Sequence, residues 1–181
     1  MRWLVDGYNV IRRSPELAAH EREGLEAGRR ALCDLLAQAA RMTGDEFTVV
    51  FDGAGGGGTA RAAGVVRVVF SSARESADRV LARMARQGGA VVSNDREVRQ
   101  AAARAGAIAV SADDFLARVE VGVRRRLPGG RDAAAMPVKD DGDDGDGRPS
   151  GPRKGNPRRL GKKARAAARA LGRLARGGGR S

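Results

Sequence analysis

The chain of 181 residues has one cysteine and one histidine. Cys33 alone closes no internal disulfide and builds no cysteine-based zinc site, while His20 alone removes His-rich metal centres and Ser-His-Asp triads. Aromatics are also few, one Trp, one Tyr and four Phe, which argues against a recognition surface of stacked rings. Long apolar runs are missing too. Trp3, Leu4 and Val5 are the only apolar run before Asp6, far short of a signal-peptide core, and no stretch approaches the roughly 18 apolar residues of a membrane span. These absences set the expectation of a soluble, cytoplasmic protein without a membrane partner, whose chemistry rests on carboxylates, amides, hydroxyls or arginine.

Acidic residues are missing from one end of the chain. The net charge is +12, from 34 Lys+Arg against 22 Asp+Glu, and residues 148–181 hold twelve bases and no acid. Residues 1–147 are therefore neutral overall. Asp140, Asp141, Asp143, Asp144 and Asp146 form a short acidic run, and five of the six prolines lie between 128 and 157. Such a stretch has little to bury and reads as a disordered linker. Three segments are expected: a folded domain over 1–127, a Gly/Pro/Asp-rich linker over 128–157, and a basic tail over 158–181.

Within the first segment, short β-branched runs at 2–5, 47–51, 65–70, 90–92 and 107–110 predict strands. Helical stripes separate them. Leu25, Leu32, Leu35, Leu36 and Ala39 form one stripe. Ala77, Val80, Leu81, Met84 and Ala85 form another, which stops at Gly88 and Gly89, and Ser111 with Asp114 resembles a capping box opening a third. Repeated alternation of strand and helix predicts an α/β fold with a mainly parallel sheet covered on both faces, and a crevice at the carboxyl ends of its strands.

Acids occur where that crevice should be. Asp6 follows the first strand, Asp52 the second, and Asp95 the strand at 90–92. Asp78 is expected one turn into a helix, with Glu75 three residues earlier on the same face, and Asn9 adds an amide near Asp6. Each Asp singly is explained as a turn former or helix cap. Capping does not require the acids to converge, however. Two carboxylates 4 Å apart repel by roughly 4 kcal/mol at an effective dielectric near 20. A hard divalent cation relieves that cost, and oxygen-only ligands select Mg²⁺ or Mn²⁺. Such ions activate water for phosphodiester hydrolysis, so the pattern points to a metal-dependent nuclease.

Five strings now stand in order: VDGYNVI (5–11), VVFDG (49–53), ESADRVLARMA (75–85), VVSNDREV (91–98) and GAIAVSADDF (106–115). Together they resemble YacP-like NYN domains of the PIN-like nuclease superfamily, over about residues 2–120. The resemblance implies a PIN-like three-layer α/β fold, a Mg²⁺ or Mn²⁺ site, and endoribonuclease activity, in some members on messenger RNA associated with ribosomes. By motif position it implies Asp6, Asp78 and Asp95 as metal-binding acids, Asn9 as the accompanying amide, and Asp52 and Glu75 as supporting acids. Asn94 stands where relatives often have Ser, a change expected to preserve capping of the next helix. The alternative function is a non-catalytic RNA-binding or ribosome-associated protein on the same fold.

Other residues carry weaker signals. Tyr8 can stack on a base or pack on the sheet, His20 lies in a polar stretch, and Cys33 falls in an apolar stripe. Arg96 and Arg99 open the helix after Asp95 and can contact phosphate or simply face solvent. The bare loop after Asp52 reads as a flap or as low-complexity drift. In the tail, Leu160, Ala164, Ala167, Leu171 and Leu174 form an apolar stripe opposite Arg158, Lys162, Arg165, Arg169, Arg173 and Arg176, with Lys163 adjacent. A basic amphipathic helix of this kind can grip RNA, the ribosome or an anionic membrane, although no aromatic anchors it in lipid. Oligomeric state is not legible.

Overall fold

The computed structural model describes residues 1–53, 61–124 and 161–176. The bare loop at 54–60, the linker at 128–157, and the tail residues Arg158 and Leu160 lie outside the described residues. The elements run β1 (Arg2–Asp6), α1 (Gly7–Ile11), α2 (Pro15–Glu23), α3 (Leu25–Thr43), β2 (Glu46–Phe51), β3 (Arg61–Ala63), β4 (Val66–Phe70), α4 (Ala77–Ala85), β5 (Ala90–Val92), α5 (Arg96–Arg104), β6 (Ile108–Val110), α6 (Ala112–Arg124) and α7 (Lys162–Arg176). They form an α/β fold around a sheet of order β3-β4-β2-β1-β5-β6. β4, β2, β1, β5 and β6 are parallel, and β3 pairs antiparallel on the edge.

Strand alternation sorts the apolar residues between two layers, because successive side chains leave opposite faces. Trp3, Val5, Phe47, Val49, Phe51, Val92 and Val110 meet the α3 and α6 side, where Leu32, Leu36, Phe115 and Val119 complete the larger core. Leu4, Val50 and Val91 face the other way, onto Val80, Leu81, Met84, Val98 and Ala102 of α4 and α5. The six aromatics all take part in ring contacts with one another: Trp3 with Phe47 and Phe115, Phe51 with Tyr8 and Phe70. None is left over for a stacked recognition surface.

The observed strands agree with the expected ones within a residue. The strand expected from Val65 starts at Val66, with Val65 exposed. Three elements were not foreseen. α1 is a single short turn, β3 is a three-residue edge strand, and α2 buries only Leu17. A helix with one buried residue leaves no stripe to read, so its start rests on Ser14, whose hydroxyl accepts from Leu17 N–H at 3.4 Å, followed by Pro15 in the first turn.

The C-terminal helix returns to the domain. Ala170, Leu171 and Leu174 of α7 are buried in the larger core cluster, against the side containing α6. Gly122 of α6 lies against this helix: a Cβ there would stand in ordinary contact distance, 3.4 Å, from the Leu174 carbonyl oxygen. Lys162, Lys163, Arg165, Arg169 and Arg173 remain exposed. The apolar stripe expected in the tail is thus covered by the protein itself, from about Ala167 onward, while Ala164 is exposed. Truncating Leu174 to Ala is expected to lower unfolding free energy by about 2–4 kcal/mol in urea denaturation; an unchanged midpoint would mean that α7 does not dock.

Candidate functional site

The strand order makes β1 the turning point of the sheet. After β1 the chain builds outward through β2 and β4, then crosses back to place β5 on the other side of β1. Crevices form at such switch points, outside the carboxyl ends of the strands. A cleft of about 590 Å³ lies there, lined by Asp6, Asp52, Asp78 and Asp95, with Tyr8, Asn9, Arg12 and Arg13 from α1 and the turn after it. The four Asp residues picked from sequence therefore share one cleft. A second cavity, of about 540 Å³, holds His20 and shares no lining residue with this cleft.

Local folding fixes two of the acids. Asp6 is the N-cap of α1, its Oδ1 accepting from Asn9 N–H at 3.3 Å, and Asp95 is the N-cap of α5, its Oδ1 accepting from Glu97 N–H at 2.6 Å and Val98 N–H at 3.2 Å. Capping and convergence are both realised in the same side chains. Gly7 allows the chain to turn directly after Asp6, because a Cβ there would meet the Phe51 ring at 2.3 Å. Asp78 sits in the first turn of α4.

Two serines tie the acids together, and sequence reading passed over both. Ser93 Oγ donates to Asp6 Oδ2 at 2.8 Å and accepts from Asp95 N–H at 3.0 Å, linking the ends of β1 and β5. It is fully buried. Ser71 Oγ donates to Asp52 Oδ1 at 2.5 Å and accepts from Gly53 N–H at 3.1 Å. The signal was available, since Ser93 stands inside the quoted string VVSNDREV and Ser71 directly follows a strand.

Asn9 serves the scaffold as well as the cleft: its Oδ1 accepts from Asn94 N–H at 2.8 Å. Asn94 does not cap α5, as expected of it. Its side chain accepts from Ala112 N–H at 2.8 Å and donates to Asp113 at 2.6 Å, holding the start of α6. Ser111 and Asp114 form the first half of the expected capping box, Ser111 Oγ accepting from Asp114 N–H at 3.1 Å. The Asp114 carboxylate takes its return bond at 2.6 Å from the Ser111 hydroxyl, whereas a capping box's return bond comes from the backbone N–H.

Glu75 stands apart from the other acids. α4 begins at Ala77, so Glu75 precedes the helix and does not share a helical face with Asp78. Its carboxylate receives Arg83 Nε at 3.0 Å and Nη2 at 3.1 Å, and it does not line the cleft. These hydrogen bonds hold its pKa below the ordinary value. Arg96 and Arg99, in the first turn of α5, also do not line the cleft. Tyr8 packs edge-on against Phe51 at 5.2 Å. Cys33 is buried, which pushes its thiol up to about 11.

Two of the cleft carboxylates, Asp6 and Asp78, have raised pKa values. Burial pushes Asp6 above the ordinary carboxylate value, with hydrogen bonds from Ser93 and Asn9 opposing and the charges of Asp78 and Asp95 adding. Burial also raises Asp78, followed by the charges of Asp95, Asp52 and Glu97. Among the described residues, no three His, Cys, Asp or Glu side chains stand close enough to form a ready-made metal cage. The acids share a cleft without touching.

The chain matches the family model described as YacP-like NYN domain over residues 3–126. Two solved structures resemble it, both titled crystal structures of Rae1 (YacP) from Bacillus subtilis. The one of a tryptophan-to-leucine mutant is 30% identical, with a TM-score of 0.59, covering 70% of this chain and 77% of that chain. The other is 28% identical, with a TM-score of 0.56, covering 70% and 76%. No curated protein matches at a significant level.

The raised pKa of Asp78 gives a signed prediction. A carboxyl that titrates higher when folded favours folding while protonated, and that contribution is lost as pH rises through its folded value. Asp78→Asn is therefore expected to raise the melting temperature of the metal-free protein at pH 7 and to lose that advantage below about pH 3.8, the ordinary Asp value. Melting curves at the two pH values check it, and a variant less stable at pH 7 would contradict it. Ser93→Ala removes the link between Asp6 and Asp95 and is expected to cost about 1–3 kcal/mol in urea denaturation.

Proposed function

The chain belongs to the YacP-like NYN domain family, and from that premise we propose that it is a divalent-metal-dependent endoribonuclease. The observation that carries the reading is the gathering of Asp6, Asp52, Asp78 and Asp95 in one cleft at the carboxyl edge of a parallel sheet. A protein that only bound RNA would gain nothing from crowding four carboxylates against a polyanion.

The donor set fits Mg²⁺ or Mn²⁺. It is built of hard oxygens alone, with no His or Cys in the cleft. Asp6 and Asp78 carry raised pKa values because of burial and the charge of neighbouring carboxylates, the condition a bound cation reverses. In this reading Asp6, Asp78 and Asp95 hold the ion and Asp52, oriented by Ser71, supports them. When bound, the ion supplies Lewis acidity toward a phosphate oxygen and eases deprotonation of water.

The chain's own groups do the positioning. Ser93 fixes Asp6 relative to the Asp95 backbone, and the caps at α1 and α5 fix the rotamers of both acids. Asn9, through Asn94 N–H, holds the β5-α5 loop against α1. Pre-set ligands of this kind lower the reorganisation required at the moment of reaction. Glu75, paired with Arg83, supports the approach to α4 from outside the cleft.

RNA is the substrate assigned. In its narrower form the reading makes it messenger RNA on the ribosome, met by the exposed cationic residues Lys162, Lys163, Arg165, Arg169 and Arg173 of α7. Purified protein with Mn²⁺ is expected to cleave single-stranded RNA about 10²-fold or more faster than Asp78→Asn, a loss at least as large as removal of a metal site's supporting partner. The melting temperature of that variant, measured beside the rates, separates loss of activity from misfolding. Equal rates would refute the enzyme.

A further inference from the structure

The cleft contains cations as well as acids, and the two sets do not neutralise each other. Arg12 and Arg13 line it beside the four Asp residues. Among the described residues none of those four acids forms an ion pair. Instead Arg12 stands 3.9 Å from Glu21 and Arg13 3.9 Å from Asp113, the outer limit of an ion pair, with side chains 69% and 54% exposed. Both guanidinium groups are therefore loosely held. Arg12 also lies 5.6 Å over the Tyr8 ring, which orients its planar fork by cation–π attraction.

Tyr8 is held from behind by a third arginine. Arg29 of α3 donates to the Tyr8 hydroxyl oxygen from Nε at 3.0 Å and from Nη2. Its guanidinium lies over the rings of Phe51 and Phe70 at 5.5 and 5.1 Å, and its side chain is only 19% exposed. A phenol oxygen that accepts two N–H bonds has its own proton left to donate. Among the described residues nothing accepts that proton, and the side chain lines the cleft. A charge-assisted contact on the oxygen also makes the O–H a better donor.

We propose that Tyr8, Arg12 and Arg13 form a phosphate subsite for the backbone of single-stranded RNA, beside the acidic edge. The proposal rests on RNA being the substrate. It divides the cleft by charge. The acids take the cation, and the α1 side takes a backbone phosphate through two guanidinium forks and one hydroxyl. Neither arginine was singled out by sequence.

The test is RNA binding without cleavage. The full chain carrying Asp78→Asn, in chelator, is titrated with a fluorescent single-stranded RNA oligonucleotide across a monovalent salt series. Each phosphate neutralised on a single strand contributes about 0.7 to the slope of log affinity against log salt, so Arg12→Ala with Arg13→Ala, which empties this one subsite, is expected to reduce the slope by about 0.7. Arg12→Lys with Arg13→Lys retains it. Tyr8→Phe, which keeps the ring and removes the donor, is expected to weaken binding about fivefold at fixed salt with the slope unchanged. An unchanged slope in the double Ala variant overturns the subsite, even if the wild type cleaves RNA. A reduced slope upholds it even if cleavage by the wild type is never seen, so the two readings fail separately. Unaltered melting temperatures of the exposed Arg variants exclude unfolding as the cause of weaker binding.

Discussion

Repulsion among carboxylates brought to one edge of a sheet is the constraint around which this molecule is arranged. Parallel strands end at the same edge, so Asp6 at the end of β1, Asp52 directly after β2 and Asp95 shortly after β5 are brought to one cleft, and α4 adds Asp78 from its first turn. The scaffold opposes the repulsion with bonds that do not consume the acids' full capacity. Helix N-caps take one oxygen of Asp6 and one of Asp95, and Ser93 bridges the two segments. Burial first, and then this repulsion, raise the pKa values of Asp6 and Asp78. A chain selected for stability alone would place an arginine there; this one keeps Arg12 and Arg13 in the cleft and out of reach of the acids.

The net charge of +12 has a different meaning once α7 is placed. All of that excess lies in residues 148–181, and it first suggests a detachable polycation. In the structure α7 buries Ala170, Leu171 and Leu174 in the domain core and leaves Lys162, Lys163, Arg165, Arg169 and Arg173 exposed. Docking converts a charged segment into a surface of fixed geometry. A fixed array of cations loses less conformational freedom on meeting a phosphate backbone than a free chain would. No described helix is long and apolar enough to cross a membrane.

Much of the fold was legible because its signals are local. Five short valine- and alanine-rich runs became the parallel strands, and the stripes through Leu32 and Leu36 and through Val80 and Leu81 became α3 and α4. The acids were legible for the same reason, since a strand end is visible in sequence and parallel topology does the rest. What failed was anything set by a neighbour distant in sequence. Glu75 seemed to share a face with Asp78, but the helix starts two residues later and Arg83 claims the carboxylate. Asn94 seemed to cap the helix after it, yet it serves α6. The apolar stripe of α7 was visible, whereas what covers it is the larger core on the α3 and α6 side, distant in sequence. Ser93 and Ser71 were invisible as site residues because serine after a strand is common, and only the folded chain shows the acid each one holds.

The central claim is that the clustered acids exist to hold a cation. Calorimetric titration of Mn²⁺ into the full chain, beside the Asp6→Asn/Asp78→Asn double variant, tests it most directly. The account predicts a saturable site in the native chain that is absent from the variant, whatever weak binding the acidic run at 140–146 contributes equally to both. Identical isotherms would contradict it, and the gathering of carboxylates at the sheet edge would then need another cause.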